Sequence, residues 1–324
     1  MLLPEAGQHV AAAAPSEPQA AALHVPKLGI GLGYQAQLRP FLEKRGGEFD
    51  FLEVVPEVVW NDLGPGRQTR YVPDPSATAF LEEQSRVRTV IPHSIGLSIG
   101  SAHRFDREHV EQMALWHRWL GFPWHSDHLA FHLAEHHGPD EGEVNLNLTL
   151  PLPLDHDTLD LVAGRVAEMQ AAVPVPFLLE NNVSYFRMPD EDYDEAEFLG
   201  ALHRESGCGL LLDLHNVYVN ERNLGIDAGA FLERLPLEAV VEVHVAGGME
   251  IDGFYLDAHS GPVLEPVWRM LERVLPRCPN LGGVVFELFG SWYEPMGEEG
   301  LRRQLDRMRS LWARYQPVPA RWLR

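Results

Sequence analysis

Cysteine is nearly absent from this chain. Cys208 and Cys278 are its only thiols, too few and too far apart for a disulfide framework or a CxxC metal clip. Such sparing use fits a reducing compartment, and the cytoplasm is the expected location. Long apolar runs are missing as well: none approaches the roughly 18 residues that span a bilayer, so no membrane-integral role is expected. Basic residues are scarce, with 26 Lys and Arg against 47 Asp and Glu for a formal net charge of −21. That balance argues against nucleic acid as a partner and favours a metal cation or a basic peptide. The opening "MLLPEAGQHVAAAAPSEPQAAALHVPK" has neither the basic start nor the apolar stretch of a secretory signal. Residues 1–25 are read as a disordered extension, ahead of one domain over 26–324.

What is present is a repeated alternation. Short apolar, β-branched stretches are each followed by a polar turn and then, in most cases, by an amphipathic helical pattern. Eight such stretches occur: "LGIGLGY" at 28, "FDFLEVVPE" at 49, "TVIPHSIG" at 89, "WHSDHLAF" at 124, "PFLLENN" at 176, "GLLLDLHN" at 209, "VVEVHVAGG" at 240 and "GGVVFELFG" at 282. Near-continuous apolar strands separated by helices mark a parallel sheet covered on its outer face, and eight is the number that closes a barrel. The predicted fold is therefore α/β, a single (β/α)8 TIM barrel. An open doubly wound sheet is the alternative, but "GIGLGY" places Tyr34 where a third fingerprint glycine could fall.

In such a barrel the C-terminal strand ends build the active site. Here they carry Glu53 and Glu57, His93, then His125, Asp127 and His128, then Glu180, Asn181 and Asn182, then Asp213, His215 and Asn216, then Glu242 and His244, and finally Glu287, with Asp257 and His259 in a following loop. Residues two apart on a strand face the same way, so Asp213 with His215, and Glu242 with His244, are expected to share one mouth. Asp213 and His215 are the candidates for catalytic acid–base work. A mouth crowded with carboxylates and imidazoles needs cations to offset the burial of its charge. Mixed nitrogen and oxygen donors without thiolate suit an exchangeable Fe, Mn or Zn site, and the number of donors is enough for two or three ions. His103, His109, His117, His136, His137, His156 and His203 are read as solvated. Trp60 and Trp292, close after strand ends, are candidates for a substrate pocket.

The strings "HSIGLSIGSA" from His93, "SDHLAFH" from Ser126, "LLENNVSYF" from Leu178, "CGLLLDLHNVYV" from Cys208, "EVHVAGG" from Glu242 and "DAHSGPVLEPVW" from Asp257 resemble the DUF692 or UPF0276 proteins. These are the multinuclear non-heme iron-dependent oxidative enzymes, with MbnB-like members. The resemblance is distributed over most of residues 28 to 290. It implies a barrel holding two or three iron ions that uses O2 to oxidise a residue, often cysteine, in a ribosomally made precursor peptide, with a separate partner protein capturing the leader peptide. It also implies metal ligation by Glu57, His93, Asp127, Glu180, Asp213, Asn216, His244, Asp257, His259 and Glu287. This chain departs from the family pattern where Val55 replaces a His, Val58 an Asn, "HN" at 215 an Asn pair and Gly248 a His. His215 is the residue expected to compensate with an imidazole. Two other readings are weighed beside this one: a xylose isomerase- or endonuclease IV-like barrel using Zn or Mn, and a non-catalytic peptide- or metal-holding scaffold.

Overall fold

The computed structural model describes residues 23–136, 142–189 and 191–316. Residues 1–22 of the expected extension, and His137, lie outside them. Leu23, at the end of that extension, is already packed into the core. All eight anticipated strands form: β1 Gly29–Gly33, β2 Phe51–Val54, β3 Val90–Ser94, β4 His125–His128, β5 Phe177–Glu180, β6 Gly209–Asp213, β7 Val240–Ala246 and β8 Gly283–Glu287. They pair in parallel and in sequence order, and the barrel closes where Gly29 meets Gly283 and Leu32 meets Phe286. The strands are short and buried on both faces, which is why they read as apolar runs rather than as alternating ones.

Helices fill the outside. Six of them begin at an aspartate whose side chain accepts a backbone N–H of the first turn: Asp74, Asp106, Asp155, Asp194, Asp213 and Asp227. Each cap satisfies an otherwise unpaired donor and sets negative charge at the positive end of the helix dipole. Part of the acidic excess is thus structural.

The barrel interior is filled below the mouth. Phe51 from β2 meets Trp124, just before β4, edge to face at 6.2 Å between ring centroids. The Phe51 ring lies against Gly31 and Gly283, where an added Cβ would stand 2.5 Å from the Phe51 Cζ in each case. Two glycines are needed because the ring occupies the space their side chains would take. Trp124 turns its Nε1–H onto Glu242 Oε2 at 2.8 Å, so the apolar floor ends at the first buried carboxylate. Three antiparallel hairpins rise from the opposite, C-terminal end: Trp60–Asp62 with Tyr71–Pro73, Phe131–His136 with Gly142–Leu150, and Met249–Ile251 with Phe254–Leu256.

Gly283→Ala is expected to destabilise the protein by about 1–3 kcal/mol, the usual cost of overpacking a filled core. Urea unfolding checks this, and an unchanged midpoint would contradict the packing described.

Candidate metal centre

The strand ends bring four overlapping sets of ligand-type atoms together: His93, His128 and Glu180; Glu53, His244 and Glu287; Glu180, Asp213 and His244; Asp213, His259 and Glu287. Within each set the nitrogen and oxygen atoms lie no more than 4.8 Å apart. One residue from each of the strands β2 to β8, joined by His259 from the segment between β7 and β8, therefore faces one volume. The closed barrel of parallel strands brings this about by setting all their C-terminal ends around one mouth.

His244 is the hub. It is fully buried, with Nε2 3.0 Å from Glu53 Oε2 and Nδ1 3.1 Å from Glu287 Oε2. Burial works against a charge on this ring, but Glu287 and Glu53 outweigh it and raise its pKa well above the ordinary histidine value. His259 shows the same contest: burial opposes its charge, Asp257 and Glu287 favour it, and its pKa rises to about 10. Glu180 and Asp213 are pushed the other way for carboxylates. Burial, eased by His128 and His244, raises Glu180 to about 7, and burial together with Glu180, Glu287 and Asp257 raises Asp213 to about 7. His93 and His128 are lowered, chiefly by burial.

Hydrogen bonding does not account for this convergence. Glu180 Oε2 lies 3.2 Å from His93 Nε2 and 3.4 Å from His128 Nε2, yet it makes no hydrogen bond. The same holds for Asp213 Oδ2 and Asn216 Oδ1, both buried and without a hydrogen-bond partner among the described residues. Buried polar atoms are ordinarily paired. Several that crowd one volume unpaired are arranged for a cation, so this donor set fits a metal.

Of the sequence-predicted ligands, His93, Glu180, Asp213, His244, His259 and Glu287 come together in these sets. Asn216 joins them from the side: its Nδ2 donates to Glu180 Oε1 at 3.1 Å, and its Oδ1 is the unpaired atom. Asp257 Oδ1 bridges His259 Nε2 at 3.0 Å and His215 Nδ1 at 2.8 Å. Glu57 and Asp127 stand apart from the four sets. Glu57 Oε1 accepts from Ser94 Oγ and from the Gly96 N–H. Asp127 accepts from the His128 and Leu97 N–H groups. Strand parity explains Asp127, because Ser126, bonded to His93 Nδ1 at 2.9 Å, and His128 take the inner face and leave Asp127 on the other.

The pairing expected of Asp213 and His215 does not form. The chain turns helical at Leu214, Asp213 becomes the helix cap with Oδ1 accepting the Asn216 N–H at 2.7 Å, and the alternation of a strand no longer applies. His215 belongs to none of the four sets. Glu53 and His128, absent from the expected ligand list, are in them; counting by twos from Phe51 and from Ser126 would have found both. Two histidines read as solvated are buried: His109, whose Nε2 meets Ser94 Oγ at 3.0 Å, and His203, whose Nδ1 meets the Cys208 carbonyl at 2.7 Å. Trp60 is also buried, against Trp116 and Tyr71, rather than lining a pocket.

Beside the cluster is a cavity of about 650 Å³ between the first two hairpins. Its lining includes Glu57, Ile95, Gly96, His132 and Leu148 but none of the residues in the four sets.

Comparison with known proteins decides the family. The family described as RiPP precursor modification enzyme MbnB/TglH/ChrH matches residues 29–288. The chain belongs to this family. A UPF0276 protein of Chromobacterium violaceum is 37% identical over 226 residues, covering 70% of this chain and 78% of that one. One of Streptomyces avermitilis is 34% identical over 282 residues, covering 87% of this chain but only 54% of that longer relative. Among solved structures, a D-psicose 3-epimerase from Clostridium cellulolyticum superposes with a TM-score of 0.56 at 14% identity, covering 87% of this chain and 98% of that one. Endonuclease IV from Thermus thermophilus gives 0.52 at 15% identity, covering 89% of this chain and 100% of that one. At such identities the likeness shows the fold alone, a TIM barrel. No helix among the described residues is long and apolar enough to cross a membrane.

The raised groups set a pH dependence for the metal-free protein. A carboxyl or imidazole whose pKa is raised by folding stabilises the fold while protonated, fully below its unfolded value and no longer above its folded one. For Glu180 and Asp213 that loss runs up through about 7, and for His244 and His259 it begins near 6.5. The lowered rings of His93 and His128 contribute fully above about 6.5 and then stay constant. Chelator-treated protein is therefore expected to melt at progressively lower temperature from about pH 6.5 to 8.5. Bound divalent metal should flatten or reverse that slope, because it requires the same groups deprotonated. Melting curves at three pH values test this, and a melting temperature that climbs without metal would contradict it.

Proposed function

We propose that the protein is a multinuclear iron-dependent oxidoreductase that uses O2 to modify a residue, cysteine by preference, in a ribosomally synthesised precursor peptide. The observation that carries this reading is the set of buried, unpaired donor atoms on Glu180, Asp213 and Asn216, at the mouth of a barrel of this family. Imidazole and carboxylate donors without thiolate favour iron in an open, exchangeable site, and overlapping sets that share Glu180, Asp213, His244 and Glu287 favour more than one ion.

In this reading His93, Glu180, Asp213, His244, His259 and Glu287 hold the ions, with Asn216 and Asp257 completing the shell and His128 and Glu53 as additional donors. Bound iron supplies the electron transfer between O2 and the peptide. The chain's own residues do the rest. Glu53 orients His244 through Nε2 and leaves Nδ1 on the Glu287 side for an ion, and protons resting on Glu180 and Asp213 near neutral pH leave when metal enters. The cavity beside Glu57 is large enough for a short stretch of peptide. A peptide cysteine would bring the one soft donor the cluster lacks, since Cys208 and Cys278 are both buried elsewhere in the core.

A partner that presents the peptide is part of the proposal. Val58, Ile95, Leu148, Phe186, Phe254 and Phe289 are exposed, and each lies on the segment following a different barrel strand. Apolar side chains spread around the catalytic end favour docking of a peptide or of its carrier protein.

The test is metal content after anaerobic loading with Fe(II). Wild-type protein should retain two or three irons per chain, and His93→Ala, Glu180→Ala and His244→Ala should each lose iron while keeping the far-ultraviolet spectrum of a folded barrel. Full metal content in all three variants would overturn the assignment. Stoichiometric zinc or manganese in place of iron would favour the isomerase- or hydrolase-like reading.

A further inference from the structure

We infer that His215 is a positioning residue, holding Asp257 in place for metal binding from a slot that exists because residue 248 is glycine. The inference rests on the metal-binding reading above.

His215 is fully buried on the first turn of the helix Leu214–Leu224. Its Nδ1 lies 2.8 Å from Asp257 Oδ1. A carboxylate only accepts, so the facing Nδ1 carries a proton and donates it. The ring Nε2 has no hydrogen-bond partner among the described residues. It points at Gly248, where an added Cβ would stand 2.6 Å from it, 2.8 Å from Tyr255 Cε1 and 2.4 Å from the Leu256 carbonyl oxygen. No side chain fits there while the ring is in place.

The slot is rigid on its far side. Tyr255 meets the His215 ring edge to face at 5.8 Å, and its hydroxyl accepts the Gly248 N–H at 3.1 Å. Asn223 pins the Tyr255 backbone in both directions, its Oδ1 accepting the N–H at 2.9 Å and its Nδ2 donating to the carbonyl at 2.8 Å. Held this way, Nε2 faces the backbone of the third hairpin, and His215 acts on the cluster only through Asp257.

Asp257 needs that support. It follows the hairpin in a stretch without regular structure, and its other anchors are its own N–H to Tyr185 Oη at 3.3 Å and His259 Nε2 at 3.0 Å. His259 sits at φ 41°, the left-handed region that costs a non-glycine residue energy and persists only where the surroundings impose it. Both imidazoles bind the same oxygen, Oδ1, so the carboxylate is fixed at that atom, beside His259, which belongs to one of the four sets. Hydrogen bonds that orient ligating groups commonly change metal affinity by about 10- to 100-fold when removed.

Cobalt(II) titration of metal-free protein, followed by its visible absorption, reads this directly. His215→Ala and His215→Phe are expected to weaken the binding of one ion by about 10- to 100-fold and to shift its spectrum, leaving the remaining ions unchanged. His215→Asn, whose amide N–H can replace Nδ1–H, should recover most of the loss. Far-ultraviolet spectra establish that each variant is folded, and the alanine variant, which only creates space, keeps the test valid should phenylalanine not be accommodated. Wild-type affinity in a folded alanine variant would overturn the inference. An asparagine variant as weak as alanine would do so too, pointing to direct ligation by the ring. Wild-type protein that binds no cobalt would overturn the metal reading itself, an outcome distinct from both.

Discussion

One buried imidazole between a buried and a half-buried carboxylate is the constraint on which this site depends. His244, held by Glu53 on one side and Glu287 on the other, lies in the barrel with Glu180, Asp213 and Glu242 also out of contact with water. Burying that many ionisable groups is unfavourable unless protons, hydrogen bonds or cations offset it. Without metal the protein relies on protons: Glu180 and Asp213 are raised toward neutrality, Glu242 is raised well above its ordinary value by burial and by Glu53, and His244 and His259 are held charged. The unpaired donors are what this arrangement leaves for a cation.

The fold keeps the cluster dry from below and open from above. Phe51, Trp124 and the two glycines under the ring close the barrel floor, and the Trp124–Glu242 hydrogen bond marks the boundary between packing and chemistry. Above, the three hairpins and the exposed apolar side chains of the strand-following segments make a rim, while the bonded groups of Arg70, Asp62 and Asp106 fix the wall of the adjacent cavity. Stability and function thus occupy opposite ends of the same strands.

The eight strands were legible because a parallel strand buried on both faces is an uninterrupted apolar run, and "GLLLD" or "VVEVHVA" allows little else. The hairpins were not: Phe131 reads as a continuation of "WHSDHLAF", although β4 ends at His128 and the chain starts a separate hairpin at Phe131. In the site, residues at inner-face positions of long strands, such as His244, were readable. The structure differs from the reading where parity was not followed or where the strand stopped early. "SDH" brings His128 rather than Asp127 into the ligand-type sets, and "DLHN" is a helix cap and first turn, so His215 faces Asp257 and belongs to none of them. Buried histidines such as His109 escaped because a helix's first turn over the barrel end is buried on one side, which composition does not reveal.

His215 and Gly248 occupy one place in the site. The His215 ring occupies the space that a side chain at position 248 would need. The most direct measurement is the Mössbauer spectrum of protein loaded anaerobically with iron-57, before and after exposure to O2. The account predicts two or three irons per chain with coupled signals that change on oxygenation. A single uncoupled iron, or a spectrum indifferent to O2, would contradict it.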